Sequence, residues 1–194
     1  REQGMVEFEF DCRSLDLLRE AIRWKRQQYR RTNILDLFVP EWTRSLLEEL
    51  CSNPGCETSE MRGVLSVLKA GGKVVAMHVG LLEKGLLHYW FPSYNPSFAR
   101  YSPGTGLFRE ILGSASENDL HCIDMGYGEQ PYKLKQTDSL DSVSQGCFTG
   151  NIVYRHWRCA SNHASSLLRR LPGKEPIKRV YRRLLPNAGI TILD

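Results

Sequence analysis

Two glycine-containing turns in quick succession constrain the fold of this chain more than any other feature of its sequence. Gly71-Gly72 separates the apolar segments 63–70 and 73–82, and Lys84-Gly85 separates the second of these from 86–91. Glycine supplies the positive φ angles of two-residue hairpin turns, and the Val, Leu and aromatic residues on either side favour strands. The pattern predicts an antiparallel meander of three strands.

Segments of other periodicity flank this meander. A short strand is predicted at 6–10, a helix from Ser14 to about residue 31, and a second helix that opens at Pro40-Glu41 and ends near residues 53–55.

Beyond the meander, an apolar stripe predicts a helix over about 104–116, and a compact apolar run predicts a strand over 120–125. A strand, a glycine-rich turn, a helix and a further strand form one crossover unit, so part of the sheet is expected to be parallel. One or two more strands are predicted within 143–157, and two short basic helices on either side of Pro172-Gly173.

Length and composition indicate a globular protein. The 194 residues suffice for one good-sized core, and no apolar run reaches the length of a bilayer-spanning helix. None of the six cysteines forms a C-x-x-C pair, which argues for reduced thiols and against both a disulfide framework and a zinc site. We expect a cytoplasmic location, with attachment to the periphery of the inner membrane as the alternative.

The two ends of the sequence carry separate expectations. The chain begins with Arg1 and shows no signal-peptide pattern, so we expect a processed chain or a fragment of a longer protein. From Tyr154 to Pro186 there are nine Lys and Arg residues against Glu175 alone. This segment is either a solvated helical tail or a contact for an anionic partner, such as a membrane surface or a phosphorylated ligand.

The segment Ser102-Pro103-Gly104-Thr105-Gly106-Leu107 stands where a strand gives way to a helix. Glycines there let a ligand approach the backbone closely, and the first N–H groups of a helix have no partner within it. Together with the helix dipole they form an anion site suited to a pyrophosphate. Leu107-Phe108 stands where a P-loop needs Lys and Ser or Thr. Asp124 follows the loop at the spacing of the acidic residue in a Rossmann dinucleotide-binding fold, but the antiparallel meander before the loop argues against a Rossmann fold.

Several blocks between about Trp24 and Lys135 occur in an order that is similar to a known superfamily. They are Trp24-Lys25-Arg26-Gln27-Gln28, Val74-Val75-Ala76-Met77-His78-Val79-Gly80, Leu87-His88-Tyr89-Trp90-Phe91-Pro92-Ser93-Tyr94-Asn95-Pro96, Tyr101-Ser102-Pro103-Gly104, and Asp124-Met125-Gly126 with Glu129, Tyr132 and Lys133. The chain resembles the GNAT acyltransferases, and more closely their CelD-like branch, an acetyltransferase domain named after cellulose biosynthesis and found in bacterial exopolysaccharide loci. CelD-like domains also resemble the Fem-type aminoacyltransferases.

This resemblance implies an α/β (α+β) GNAT fold, in which a mixed central sheet has an antiparallel meander followed by a parallel crossover, with helices on both faces. It implies acetyl-CoA or another acyl-CoA as co-substrate, and no metal. The strand at 86–91 would splay from its neighbour and grip the pantetheine arm. The residues implied to bind the donor are those of the loop: Tyr101, Ser102, Gly104, Thr105, Gly106 and Leu107. Tyr101 departs from the family pattern, which has Gln or Arg at its place, although Arg100 is adjacent.

The expected chemistry assigns roles to four further residues. An amine with a pKa near 10.4 is mostly protonated at neutral pH, so a base must remove its proton, and an acid must protonate the departing thiolate. Glu129, Asp124 and His88 are the candidate bases, and the resemblance assigns the acid to Tyr132. The competing interpretations are packing for His88, loop capping or a pair with Lys133 for Asp124, and solvent exposure for Glu129. The candidate acceptor-binding residues are Tyr89, Trp90, Tyr94 and Lys133, although the aromatic members could instead be core.

The resemblance favours an acyl-CoA-dependent N-acyltransferase, acting on an amino sugar or another polysaccharide precursor. The alternatives are a Fem-like transferase that uses aminoacyl-tRNA, a non-catalytic GNAT module, and a loop that serves another nucleotide. The modest net charge of +4 argues against a nucleic-acid partner. We expect a catalytic domain over 1–158 and a basic helical extension over 159–194, with an N-terminal GNAT-like half of the same protein as a candidate partner.

Overall fold

The predicted meander forms the centre of the molecule. The computed structural model describes residues 4–52, 61–128, 130–143 and 149–170. Its strands are β1 (Val6–Glu9), β2 (Met61–Ala70), β3 (Lys73–Glu83), β4 (Leu86–Tyr94) and β5 (Cys122–Asp124). Its α-helices are α1 (Leu15–Thr32), α2 (Glu41–Ser52), α3 (Pro103–Gly113), α4 (Pro131–Leu134) and α5 (Ile152–Arg170).

The five strands form one mixed sheet in the order β1-β2-β3-β4-β5. The first four pair antiparallel, and β4 pairs with β5 in parallel. Both hairpin turns use left-handed backbone, with Gly71 and Gly72 at φ 55° and 73° and Lys84 and Gly85 at 46° and 76°. Glycine adopts such angles without a steric penalty, so the turn residues determine where the sheet folds back.

Helices cover both faces of the sheet because alternate residues of a strand point to opposite sides. On one face α1 and α2 pack over a core of Leu18, Ile22, Leu47, Leu65, Val67, Met77 and Val79. On the other face α3 packs over a core of Val64, Leu68, Ala76, Leu87, Leu107, Phe108 and Ile111. The predicted mixed sheet with helices on both faces is therefore confirmed.

The ends of several elements differ from their predicted positions. The helix predicted over 104–116 ends at Gly113, and a separate 3-10 turn follows at Ser116–Asn118. The strands predicted within 143–157 are wrong for residues 152–157, which belong to α5. Residues 144–148 of that segment and the second predicted basic helix, beyond residue 170, lie outside the described residues.

The chain divides into two compact units on either side of the bond between Tyr127 and Gly128. The first unit holds the sheet with α1, α2 and α3, and the second holds α4 and α5. The boundary predicted between residues 158 and 159 falls inside α5. A search of the helices in the described ranges finds none with the length and hydropathy required to cross a membrane.

Candidate active site

The segment between β4 and α3 turns sharply before the helix begins. Asn95 caps a 3-10 helix over Pro96–Tyr101, and its Oδ1 accepts a hydrogen bond from the Ser97 N–H at 3.0 Å. Ser102 then adopts a left-handed conformation, with φ 52° and ψ 52°. Its carbonyl accepts hydrogen bonds from the N–H groups of Thr105 at 3.0 Å and Gly106 at 3.1 Å. These bonds fix the first turn of α3.

The two glycines of this turn have different surroundings. A Cβ atom added to Gly104 would have no atom within 4 Å, whereas one added to Gly106 would lie 3.5 Å from a methyl group of Leu68. Pro103 has no N–H, so the Gly104 amide is the first donor of α3. Gly104 therefore leaves open space beside the helix N-terminus, where an anion is favoured by the dipole.

The remaining residues predicted to bind the donor differ in their exposure to solvent. Ser102 and Thr105 are exposed on the loop, whereas the Leu107 side chain is fully buried against the sheet and supports the helix. The Arg100 guanidinium lies over the Tyr101 ring, 4.6 Å from its centroid, and donates a hydrogen bond to the Tyr101 hydroxyl. Arg100 therefore places a positive charge against Tyr101, the residue found where the family pattern has Gln or Arg.

The pairing of β4 with β3 contains an irregularity. Val79 pairs with Phe91 and Leu81 pairs with His88, so β4 has one more residue than β3 across this stretch, which is a β-bulge. Gly80 faces the bulge, and a Cβ atom there would lie 2.4 Å from the His88 carbonyl oxygen. The close approach of the two strands therefore requires glycine at position 80.

The two parallel strands separate immediately beyond this point. β4 pairs with β5 at Leu86, Leu87 and His88, and the last of these positions pairs with Asp124. β4 continues to Tyr94, while β5 ends at Asp124. The described strands therefore open into a wedge whose closed end is formed by His88 and Asp124.

These two residues are also in contact through their side chains. His88 Nδ1 lies 3.2 Å from Asp124 Oδ2, and Asp124 Oδ1 accepts a hydrogen bond from the Gly126 N–H at 2.7 Å. When Nδ1 carries the proton shared with Asp124, Nε2 of the neutral ring is free of a proton and can accept one. The pair thus has the composition of an oriented general base. It brings together two of the three predicted base candidates.

The aromatic residues predicted to bind the acceptor lie in different environments. Tyr89 is buried, stacks on His78 with ring centroids 4.1 Å apart, and contacts Phe108 edge-on. Tyr94 packs half-buried against the same core. Trp90 is 41% exposed, and its ring centroid lies 6.3 Å from that of His88. Of the three predicted aromatic residues, Trp90 is the one that presents a surface beside the His88–Asp124 pair.

His78 has an unusual environment that the sequence analysis did not single out. It is fully buried on β3, and neither ring nitrogen has a hydrogen-bond partner among the described residues. Burial lowers the pKa of His78 to about 3, with a smaller contribution from the Lys25 charge, so the ring is neutral at pH 7. A histidine within an apolar strand is the only sequence signal, and packing alone produces the same signal.

The other predicted residues belong to the second unit or to undescribed positions. Tyr132 lies in α4 with about half of its surface exposed, and desolvation raises the pKa of its hydroxyl. Lys133 is half-buried in the same helix, and its carbonyl accepts a hydrogen bond from the Gln136 N–H at 2.8 Å. Glu129 lies outside the described residues.

A mixed sheet in which β4 and β5 pair only as far as His88, followed in the chain by a glycine-containing helix N-terminus, has the features expected of a coenzyme A-dependent acyltransferase. The family model of the acetyltransferase (GNAT) domain matches residues 1–134. The chain therefore belongs to the GNAT acetyltransferase family and is an acyltransferase whose family uses acetyl-CoA as donor.

Solved structures with the same fold are distant in sequence. One is a possible acetyltransferase from Clostridium difficile 630, at 12% identity and a TM-score of 0.57, covering 76% of this chain and all of that one. Another is a predicted acetyltransferase with acetyl-CoA from Clostridium acetobutylicum, at 11% identity and a TM-score of 0.54, covering 78% and 99%.

A third is an aminoglycoside acetyltransferase from an uncultured soil metagenomic sample in complex with sisomicin, at 13% identity and a TM-score of 0.52, covering 75% and 97%. The search of curated proteins finds no match.

Proposed function

We propose that this chain transfers the acetyl group of acetyl-CoA to the amine of an amino sugar or a similar saccharide precursor, as a CelD-like enzyme of a bacterial cytoplasm. The observation that carries the proposal is the His88–Asp124 pair at the point where β4 and β5 separate. This pair supplies a base at the closed end of a wedge that can receive a thioester.

The donor is proposed to lie between the loop and the wedge. The N–H groups at the start of α3, around Gly104, would receive the pyrophosphate, and the Arg100 guanidinium would add a positive charge beside it. Beyond His88, where β4 no longer pairs with β5, the border of β4 on that side would lie along the pantetheine arm. A backbone N–H near the β4 bulge would stabilise the oxyanion of the tetrahedral intermediate.

In the proposed reaction the His88 Nε2, directly or through water, removes a proton from the ammonium form of the acceptor. The amine nitrogen then attacks the thioester carbonyl carbon, and the carbonyl oxygen becomes an oxyanion. When this intermediate collapses, the carbon–sulfur bond breaks, and the coenzyme A thiolate leaves with both bonding electrons. Tyr132, the acid assigned by the family resemblance, donates a proton to the sulfur. The nitrogen releases its second proton to solvent, solvent restores the proton of Tyr132, and the products are an acetamide and free coenzyme A.

Two observations support a saccharide acceptor. Trp90 presents an exposed indole beside His88, and aromatic faces present an apolar surface on which a sugar ring can stack. The same soil-metagenome aminoglycoside acetyltransferase was also solved in complex with trehalose, so a protein of this fold is reported with two saccharide ligands. Lys133 is the proposed contact for an anionic group of the acceptor.

The proposal is tested by titrating the purified chain with acetyl-CoA and with desulfo-CoA in a calorimeter, followed by an acceptor screen read by mass spectrometry. The screen contains amino sugars and aminoglycosides, with amino acids as the control class. We expect donor binding and acetylation of the amino sugars.

Each other outcome identifies a different activity. Donor binding without acetylation of any amine would favour a non-catalytic module. No donor binding together with salt-sensitive binding of aminoacyl-tRNA would favour the Fem-like alternative. Either result would contradict the proposed reaction.

A further inference from the structure

The first half of α5 exposes an apolar side. Asn151 caps the helix by accepting a hydrogen bond from the Tyr154 N–H at 3.0 Å. Val153 and Trp157 follow at helical spacing and are 73% and 43% exposed, and Ile152 is also exposed. The rings of Tyr154 and Trp157 lie 5.8 Å apart. Residues four positions apart share one side of a helix, so Val153 and Trp157 form a continuous apolar surface.

The other side of this helix is positively charged. Arg155 and Arg158 are three positions apart and therefore neighbours on a different side from Val153 and Trp157. The sequence from 152 to 170 contains no Asp or Glu. The charge continues along the chain, because Tyr154 to Pro186 contains nine Lys and Arg residues and one acidic residue. In the first half of α5, the apolar and the cationic side chains thus occupy different sides of the helix.

The combination of apolar and cationic side chains indicates what kind of partner α5 could bind. A helix surrounded by water has no energetic reason to expose Val153 and Trp157 on one side. A nucleic acid would attract Arg155 and Arg158, but it offers no apolar layer for Val153. An anionic lipid surface provides both a layer for apolar and aromatic side chains and phosphates for arginine. Tryptophan and tyrosine also favour the boundary between lipid headgroups and acyl chains.

We infer that α5 is an interfacial helix that binds the surface of an anionic lipid bilayer. Val153 and Trp157 enter the boundary between headgroups and acyl chains, and Arg155 and Arg158 contact lipid phosphates. The helix lies in the plane of the membrane and does not cross it. This inference goes beyond the proposed acetyl transfer and does not depend on it, because lipid binding requires neither donor nor acceptor.

The experiment is co-sedimentation of the full chain with vesicles of equimolar phosphatidylglycerol and phosphatidylcholine, compared with vesicles of phosphatidylcholine alone. We expect binding to the anionic vesicles, weakening as salt is raised, because exposed charges are screened over about 10 Å at 0.1 M salt. Equal sedimentation with both vesicle types, or none with either, would overturn the inference.

Two paired variants separate the contributions of the two surfaces. Arg155→Gln with Arg158→Gln removes charge, and each arginine near an anionic surface is worth about fivefold in affinity, so the pair should cost roughly 25-fold at low salt. Val153→Ser with Trp157→Ser keeps the charge and should weaken binding by on the order of tenfold. Val153, Arg155 and Trp157 are exposed and Arg158 is half-buried, so far-UV circular dichroism checks that the variants fold.

A matched control tests whether any exposed tryptophan would give the same result. Trp42 on α2 is 67% exposed, and Val39, nearby in the sequence, is 64% exposed. Trp42→Ser with Val39→Ser should leave vesicle binding unchanged, and an equal loss in this variant would refute a specific role for α5. If the chain binds tRNA instead of vesicles, and only the arginine variant weakens that binding, the surface is a nucleic-acid contact and the lipid inference is wrong.

Discussion

Substituting Gly104 separates the binding role of the loop from its structural role, because the two roles predict effects of opposite sign. Gly104 is the second residue of α3, and a Cβ atom there would meet no atom within 4 Å. A side chain at this position is therefore accommodated without moving the backbone. It would also enter the space proposed for the pyrophosphate of acetyl-CoA.

The expected effect of Gly104→Glu on stability is favourable. Replacing glycine reduces the entropy of the unfolded chain, which stabilises the fold by about 0.4–1 kcal/mol where the backbone conformation is compatible. A carboxylate in the first turn of a helix interacts favourably with the dipole, by about 0.3–1 kcal/mol. For a chain of this length, roughly 1 kcal/mol corresponds to about 2–4 °C, so the melting temperature should rise by a few degrees.

The expected effect on donor binding is unfavourable. Two like charges about 6 Å apart repel by about 3 kcal/mol at an effective dielectric constant of ~20, and salt reduces this for exposed groups. A repulsion of even half that size weakens binding by roughly tenfold, since each 1.4 kcal/mol corresponds to about a factor of ten in Kd. We therefore expect the Kd for acetyl-CoA to rise at least tenfold.

The assay combines calorimetric titration with acetyl-CoA and a thermal melt of the same preparation. Gly104→Ala is the matched control, because it adds the Cβ atom without charge and should keep most of the affinity. An unchanged Kd in Gly104→Glu would refute the placement of the donor at this loop. A lowered melting temperature would refute the claim that position 104 faces open space.

Three further predictions concern other residues. His88→Gln replaces the general base and should lower kcat by about 10²–10⁴-fold without changing the Kd for acetyl-CoA. Asp124→Asn should lower kcat by no more than that, and an unchanged kcat in steady-state kinetics would refute the role of the His88–Asp124 pair as base. The unfolded chain protonates His78 near its ordinary pKa of 6.5, whereas the folded chain does so only near 3. Its contribution to stability is therefore lost on acidification between these values, by about 1.4 kcal/mol per pH unit, and urea melts of His78→Leu at pH 6.5 and 4.5 should show a smaller loss than the parent. Burial raises the pKa of Cys51 to about 11, so a thiol reagent at pH 8 should modify exposed Cys122 first, and equal rates in peptide mapping would contradict the buried position.

The sequence predicts the sheet well where local chemistry decides the conformation. The two-residue turns at Gly71-Gly72 and Lys84-Gly85 require left-handed backbone, and glycine adopts it readily, so the glycines mark the turns in the sequence. The helix after the loop was predicted to begin at Gly104 and begins one residue earlier, because proline is well suited to the first position of a helix.

Features that depend on strand register could not be predicted. His88 and Asp124 were each named as candidate bases, but their contact exists because β4 and β5 pair in one particular parallel register. The β4 bulge depends on the approach of Gly80 to the His88 carbonyl, and no local pattern marks it. Sequence analysis can therefore nominate these residues, and tertiary pairing brings them together.

The start of α5 was misread for a different reason. Ile152 and Val153 favour strands locally, and with Tyr154 and Trp157 they suggested an extended segment. The helical repeat becomes visible only when Val153 and Trp157 are compared with Ala160, beyond the segment that was assigned to strands.

The strands at the two borders of the sheet have a consequence for self-association. In the sheet that the structure describes, β1 has four residues and β5 has three, while the strands between them have nine to eleven. Exposed strand borders can pair with other molecules, and short strands limit the number of such pairings. Glu7 and Glu9 add like charges to the β1 border, which would repel an identical strand. Truncation of Val6–Glu9 would expose the longer, apolar β2 in its place, so variants that lack this segment should aggregate more readily than the chain that retains it.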